Sequence, residues 1–177
     1  FIAGLSRFTA DQLHIIIQSE TSSGKSQLLN LLADFVPEEH KLYFTQITPK
    51  SFYHGEEGFL KNMCIFIAEL LGLADALYPI QQMMSEKKLA NLYTMTDPKT
   101  GKFVNELKII YGPDQFTITS PKEDIPDDVN NRCAILAMND SEEQNQRVMN
   151  FQRKLHSPEG AALRKERSEF IEMIQHL

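Results

Sequence analysis

The chain has 177 residues, two Cys, no Trp and a formal net charge of −6, with 42% hydrophobic and 24% charged residues. That is one domain's worth of chain with a globular balance, which excludes a disordered tail, a collagenous chain and a coiled coil. No apolar run approaches the roughly 20 residues that span a membrane, and the acidic balance leaves no global field to draw the chain to nucleic acid, so any such contact must come from a local basic feature.

The opening segment FIAGLSRFTADQ is too polar for a secretory signal and has no basic start followed by an apolar stretch. It lacks a Met, and the last residues sit inside a helical pattern, so the chain reads as a piece of a longer protein. Cys64 and Cys133 each lie in an apolar run and form no CxxC. They fit buried thiols in a reducing cytoplasm rather than a zinc site.

LHIIIQS (13–19) is a short apolar run, β-branched at its centre, and reads as a buried strand. KSQLLNLLADFV (25–36) spaces Leu28, Leu29, Leu31, Leu32 and Phe35 as a helix does, and Pro37 stops it. LYFTQI (42–47) and MCIFIAEL (63–70) read as the second and third strands. YPIQQMMSEKK (78–88) reads as a helix with Pro79 at its first position. ANLYTMT (90–96) and KFVNELKIIY (102–111) alternate, and Asp97-Pro98-Lys99-Thr100-Gly101 between them makes a β-hairpin with a five-residue loop. QFTITS (115–120) is a fourth strand, IPDDVNNR (125–132) a short helix and CAILAM (133–138) a fifth strand. Helices over 141–156 and 158–177 follow, the second with Ser157 as cap and Pro158 at its first position. Apolar strands alternating with helices predict an α/β fold with a parallel sheet covered on both faces.

The strongest signal is Ser19-Glu20-Thr21-Ser22-Ser23-Gly24-Lys25-Ser26, with Gln27 after it, between a predicted strand and a predicted helix. That is the context of a phosphate-binding loop. Backbone N–H groups of the loop and helix N-terminus face phosphate oxygens, Gly24 allows close approach, Lys25 reaches the outer phosphates and the Ser26 hydroxyl ligates Mg²⁺. The full pattern has Gly where this chain has Ser19. A carboxylate at the end of a neighbouring buried strand is then needed to polarise water and hold the metal's water shell. Glu69, at the carboxyl end of MCIFIAEL just before Leu70, is preferred over Asp140, which also suits the cap of helix 141–156.

With these parts in order, the chain resembles the AAA+ ATPase fold, and more narrowly the P-loop ATPase domain of bacterial and mobile-element DNA primase/helicase proteins. The residues carrying this are SSGKS (22–26), LLNLLADFVPEE (28–39), the CIFIAEL strand, ALYPIQQMMSEKKL (76–89), DPKTGK (97–102), YGP (111–113), DDVNNR (127–132) and NDSEEQNQRVMNFQRKL (139–155). The resemblance implies a RecA-like/AAA+ parallel five-stranded sheet between helices, an inserted hairpin about 90–111, a core over 1–140 and a helical segment 141–177 that begins a lid. It implies that Thr119 is a sensor that orients the attacking water, although Asn is commoner there in the wider superfamily; the plain alternative is an ordinary strand Thr. It implies that Arg132 reaches the nucleotide of a neighbouring subunit, the alternative being a cation at a helix C-terminus. Arg164 and Arg167 are candidates for a second sensor, though a solvated charged face explains them better.

The same resemblance places the hairpin tip, with Lys99 and Lys102, in the channel of a homo-oligomeric ring, where several tips concentrate positive charge around a strand of DNA. Without it, the lysines read as protection of an exposed edge. Lys87-Lys88 near the hairpin base adds to the charge. Phe52 and Tyr53 fit core packing better than substrate contact, Met83-Met84 fits helix packing, and the five His show no ligand spacing. The expected function is ATP hydrolysis, with Mg²⁺, coupled to movement on DNA, most naturally single-stranded, in replication. Two alternatives are a P-loop phosphotransferase acting on a small metabolite and a non-hydrolysing nucleotide-dependent assembly module.

Overall fold

A computed structural model of the chain describes residues 6, 9, 11–19, 24–45, 47–68, 76–121, 125–139 and 141–175, side chains 49 and 50 excepted. Seven strands are present among these: β1 (His14–Gln18), β2 (Lys41–Phe44), β3 (Cys64–Ile67), β4 (Lys88–Thr96), β5 (Phe103–Tyr111), β6 (Gln115–Ser120) and β7 (Cys133–Ala137). The helices are α1 (Lys25–Asp34), α2 (Pro49–His54), α3 (Leu77–Glu86), α4 (Asp127–Asn130), α5 (Glu142–Leu155) and α6 (Gly160–Gln175). Among the described residues no helix is long and apolar enough to cross a membrane.

Five strands form one sheet in the order β2-β3-β6-β1-β7, every pairing parallel. β6, late in the chain, is inserted between β1 and β3. This is the covered parallel sheet that the apolar strands foretold, in the RecA-like α/β fold that the resemblance implied. Both faces are buried, as a parallel sheet requires. On one, Ile15, Ile17, Cys64 and Phe66 pack under Leu29, Ala33 and Val36 of the α1 region. On the other, Ile65, Ile67, Phe116 and Ile118 pack under Ile80 and Met83 of α3. Burying each such Leu, Ile or Phe contributes about 1.5–3 kcal/mol.

β4 and β5 form a separate antiparallel pair. Only its base enters the core, through Leu89 and Ile110. The loop runs from Asp97 to Lys102, one residue longer than expected, because Asp97 N–H closes onto the Lys102 carbonyl at 2.9 Å. The Asp97 carboxylate accepts from Lys99 N–H (2.8 Å) and the Thr100 hydroxyl (2.7 Å), which holds its pKa below the usual carboxylate value. Gly101, at φ 67°, supplies the left-handed position.

Other boundaries moved for local reasons. α3 starts two residues before Pro79's expected lead and ends at Glu86, because Lys87 turns left-handed (φ 53°) and sends the chain into β4. α2 was not foreseen. It buries Phe52 and packs Tyr53 against the core, so neither is presented as a substrate contact. Ser141 caps α5 by accepting from Gln144 N–H. Ser157 does not cap α6. Its hydroxyl bonds back to the Lys154 carbonyl at 2.7 Å, and the helix begins at Gly160. A Cβ on Gly160 would lie 2.3 Å from that carbonyl oxygen, so the turn between α5 and α6 needs glycine. Cys64 and Cys133 form no disulfide with each other; Cys64 is buried, and burial pushes the Cys133 thiol up to about 12.

His14 joins the layers from the amino end of β1. Its Nδ1 accepts from Phe116 N–H at 3.1 Å. Burial, opposed by a hydrogen bond to the Met84 backbone and reinforced by nearby Lys87, lowers its pKa to about 4. The ring is therefore neutral in the fold and takes up a proton on unfolding below its ordinary value of about 6.5. Stability is expected to be full above that pH and to fall by roughly 3 kcal/mol between pH 6.5 and 4. His14→Gln should flatten that slope in urea titrations across the range; an unchanged slope would refute this assignment.

Candidate functional site

The parallel arrangement brings the carboxyl ends of four strands to one edge. Ser19 N–H, just beyond β1, donates to the Ser120 carbonyl at the end of β6 (3.4 Å). Met138 N–H, beyond β7, donates to the Gln18 carbonyl (3.0 Å). The Thr119 hydroxyl donates to the Ala68 carbonyl, beyond β3. These bonds fix β3, β6, β1 and β7 relative to one another at the edge where α/β proteins bind ligands.

The loop from β1 to α1 begins and ends there. Gly24 caps α1 in a left-handed conformation (φ 88°, ψ 14°). Among the described residues a Cβ would meet Met138 Cε alone, at an ordinary 3.8 Å, and the backbone angle itself calls for glycine. Among the described residues no side chain caps α1, and its first turn, Lys25–Leu28, carries no carboxylate. An uncapped helix N-terminus with its dipole uncompensated is an anion site. Lys25 Nζ donates to the Ser19 carbonyl at 2.7 Å, closing the loop across its two ends. Ser26 and Gln27 are exposed at the mouth. Glu20, Thr21, Ser22 and Ser23 lie outside the described residues.

Ser19 stands where the full pattern has Gly, and the backbone explains why it is accommodated. Positive φ at a non-glycine occurs, among the described residues, at Asn62 and Lys87, so Ser19 holds an ordinary conformation. Its side chain is fully buried.

Glu69 and Asp140 both lie outside the described residues. Glu69 directly follows Ala68, whose carbonyl Thr119 holds. Thr119, buried, is thus placed at the edge beside the loop, and its hydroxyl is committed to β3. Its neighbour Ser120 is the one whose hydroxyl is buried without a hydrogen-bond partner among the described residues. Strand alternation turns Ser120 to the α3 face, away from α1.

Arg132 is not at this edge. It precedes β7, at the amino end of a parallel strand, and is exposed. Its Nε donates to Ser85 Oγ at 2.7 Å and its Nη1 to the Asp128 carbonyl. Lys99 and Lys102 are exposed in the hairpin loop, apart from the nucleotide edge. Arg164 donates to the Leu155 carbonyl and Arg167 pairs with Asp34 at 3.3 Å, the last residue of α1 and the end farthest from the loop. Neither faces the loop.

A cleft of about 620 Å³ opens beside Gly24–Leu28 and is walled by Ala137, Met138 and Asn139 and by Gln144, Asn145, Val148, Met149 and Gln152 of α5. Gln152 Nε2 donates to Gln27 Oε1 at 3.1 Å across its far side. This volume is in the range of small-molecule sites, and its lining of apolar side chains with a few amides suits a planar base. These α5 residues belong to no motif in the sequence. The signal was there: Gln144, Val148 and Gln152, and Asn145 and Met149, recur every four residues and so share one helix face.

A buried parallel sheet, a left-handed glycine at the start of the helix that follows its first strand, and a lysine bonded back to the end of that strand define a P-loop nucleotide-binding domain. A family model, the MTBMA_p00010 P-loop domain, matches residues 3–174, and the chain belongs to that family. No curated protein matches the chain.

Two substitutions test the geometry. Gly24→Ala should cost about 1–2 kcal/mol through the left-handed angle alone and weaken nucleotide binding, read by calorimetry. Thr119→Val should lower stability by about 1 kcal/mol, seen as a lower urea midpoint at unchanged slope, while Thr119→Ser retains wild-type stability. A Val variant as stable as wild type would rule out the bond to Ala68 as a structural tie.

Proposed function

We propose that the chain is an ATP-hydrolysing AAA+ motor domain that acts on DNA, as a helicase or primase-associated ATPase in replication. The observation that supports this most directly is the junction between β1 and α1: Gly24 left-handed at the N-cap of α1, and Lys25 closed onto Ser19. In this reading the triphosphate of ATP lies on residues 19–26 with Lys25 toward its outer phosphates. The base lies in the cleft against Met138, Val148 and Met149, with amides of α5 at its edge.

The donors fit a divalent cation with ATP: Ser26 offers a hydroxyl at the helix mouth, and Glu69 follows the strand end held by Thr119. Bound there, Mg²⁺ supplies charge neutralisation of the phosphates. Glu69 takes the proton of the attacking water. Thr119 acts on that water through the backbone it holds, which makes it a positioning residue.

In this reading Arg132, at the opposite edge of the sheet from its own loop, serves the nucleotide of a neighbouring subunit on release from Ser85 and Asp128, and one chain then has an incomplete site. Closed ring assembly supplies the missing arginine. The hairpin, carrying Lys99 and Lys102 clear of the sheet, is the DNA-contacting element of that ring.

The test is the ATPase rate of the full-length protein with and without single-stranded DNA. Lys25→Ala and Glu69→Gln should each reduce turnover at least a hundredfold, Glu69→Gln while still binding ATP. Arg132→Ala should be inactive alone, and mixing it with Glu69→Gln should recover activity because sites are shared. Full activity in Lys25→Ala would end the motor reading. Turnover indifferent to DNA in a monomer would favour a metabolite phosphotransferase, and ATP binding without hydrolysis would favour an assembly module.

A further inference from the structure

Phe103 is 81% exposed at the start of β5, next to Lys102 in the hairpin loop. No other large apolar side chain described is as exposed. It is not isolated. Strand register places it on one face with two further rungs, Thr94–Asn105 and Leu92–Leu107. The Thr94 hydroxyl bonds Asn105 Oδ1 at 2.8 Å, and Leu92 and Leu107 are 65% and 60% exposed. The turn beside this face is rigid, because Asp97 ties down Lys99 and Thr100.

We propose that this face of the hairpin is a stacking platform for the bases of a single-stranded nucleic acid, with Phe103 as its ring and Lys99 and Lys102 holding the phosphates. The proposal rests on the reading of the hairpin as the DNA-contacting element and adds how the strand is gripped.

Charge selects this occupant. Residues 88–111 carry four lysines against two carboxylates, in a chain whose net charge is −6, and one of those carboxylates, Asp97, is already engaged by the turn. A cation adjoining an exposed ring is the pairing by which single strands are bound without regard to sequence: cations follow the backbone and rings take the bases. Size argues against a second copy on this face. Two strands of nine residues present a face of only about 300 Å² from strand rise and spacing, whereas stable protein interfaces take about 800 Å² from each partner.

The chain has no Trp, so Phe103→Trp installs a single reporter ring at the site. The experiment titrates the chain against labelled oligothymidylate and against an abasic oligonucleotide of equal length, at several salt concentrations. Phe103→Ala and Phe103→Leu should weaken oligothymidylate binding roughly tenfold, leaving abasic binding and the salt slope as in wild type. Phe103→Trp should bind as wild type, its emission quenched by oligothymidylate and not by the abasic strand. The double variant Lys99→Ala/Lys102→Ala should weaken both ligands and flatten the salt slope. Thermal melting checks that each variant is folded.

If the lysine variant loses binding and Phe103→Ala does not, the platform is refuted while the DNA reading stands. If wild type binds neither oligonucleotide, both fall together. If Phe103→Leu matches wild type, or Phe103→Ala abolishes a concentration-dependent self-association, the face serves apolar contact between proteins and the proposal is overturned.

Discussion

Insertion of β6 between β1 and β3 is the constraint on which the rest of the molecule depends. Parallel pairing aligns strand directions, so the residues following β1, β3, β6 and β7 emerge at one edge. The hydrogen bonds from Ser19 to Ser120, from Thr119 to Ala68 and from Met138 to Gln18 then lock those ends together. With the edge rigid, the turn through Gly24 can deliver α1 so that its open N-terminus faces the same side. Remove β6 from its position, and loop and strand end have no fixed relation. Phosphate binding by backbone dipoles depends on that fixity, since a loose cradle must be ordered at the moment of binding.

What was legible in the sequence follows from which interactions are local. The limits of β6 are visible in QFTITS because it is bounded by turn residues and is buried on both faces. The GKS turn was legible because its chemistry is contained in a few adjacent residues. The end of α3 was not, since Lys87 adopts its left-handed angle to meet the tertiary demand that β4 start beside β5, and the Gly112 N–H bonds its carbonyl at 2.7 Å. α2 escaped because six residues carry too little periodicity. For the same reason the second hydrogen-bonding partner of a side chain is invisible in sequence. Nothing in HSPEG foretells that Ser157 turns back to Lys154, and nothing near Arg132 foretells Ser85. The cleft face of α5 needed a different step: its four-residue recurrence was visible, but an exposed amphipathic helix shows the same recurrence until a neighbour is placed beside it.

The C-terminal helices change how α1 is viewed. α1 buries Leu29 and Ala33 into the sheet, and its far end is gripped from outside. Phe35 meets Phe170 edge-on at 6.0 Å, Arg167 pairs with Asp34, and Gln175 donates to the Asp34 carbonyl at 2.6 Å. Near the loop, Gln152 reaches Gln27. The helical pair thus touches α1 at both ends while leaving the cleft open between them. Exposed ion pairs of this kind contribute little individually, so the aromatic contact and the half-buried amide of Gln175 carry most of the attachment. An arrangement held by a few polar contacts is also one that can shift when the cleft is filled.

Hairpin and nucleotide edge are joined by a short covalent and hydrogen-bonded path. β5 passes through Gly112 into β6, and β6 ends at Thr119 and Ser120 beside the loop. The base of the hairpin is pinned where it leaves the core. Gly112 N–H bonds the Lys87 carbonyl, Asp114 N–H bonds the Met63 carbonyl at 2.9 Å, and a Cβ on Gly112 would sit 3.2 Å from Lys87 backbone carbon. A β-strand of six residues spans about 20 Å and does not stretch, so displacement at its carboxyl end is delivered whole to its amino end. A two-stranded hairpin anchored there acts as a lever: small rotations at the base become larger excursions at the loop, some nine residues away. What the geometry contributes is a requirement: any motion the nucleotide imposes on β6 must either move the hairpin loop or break the bonds at Gly112 and Asp114.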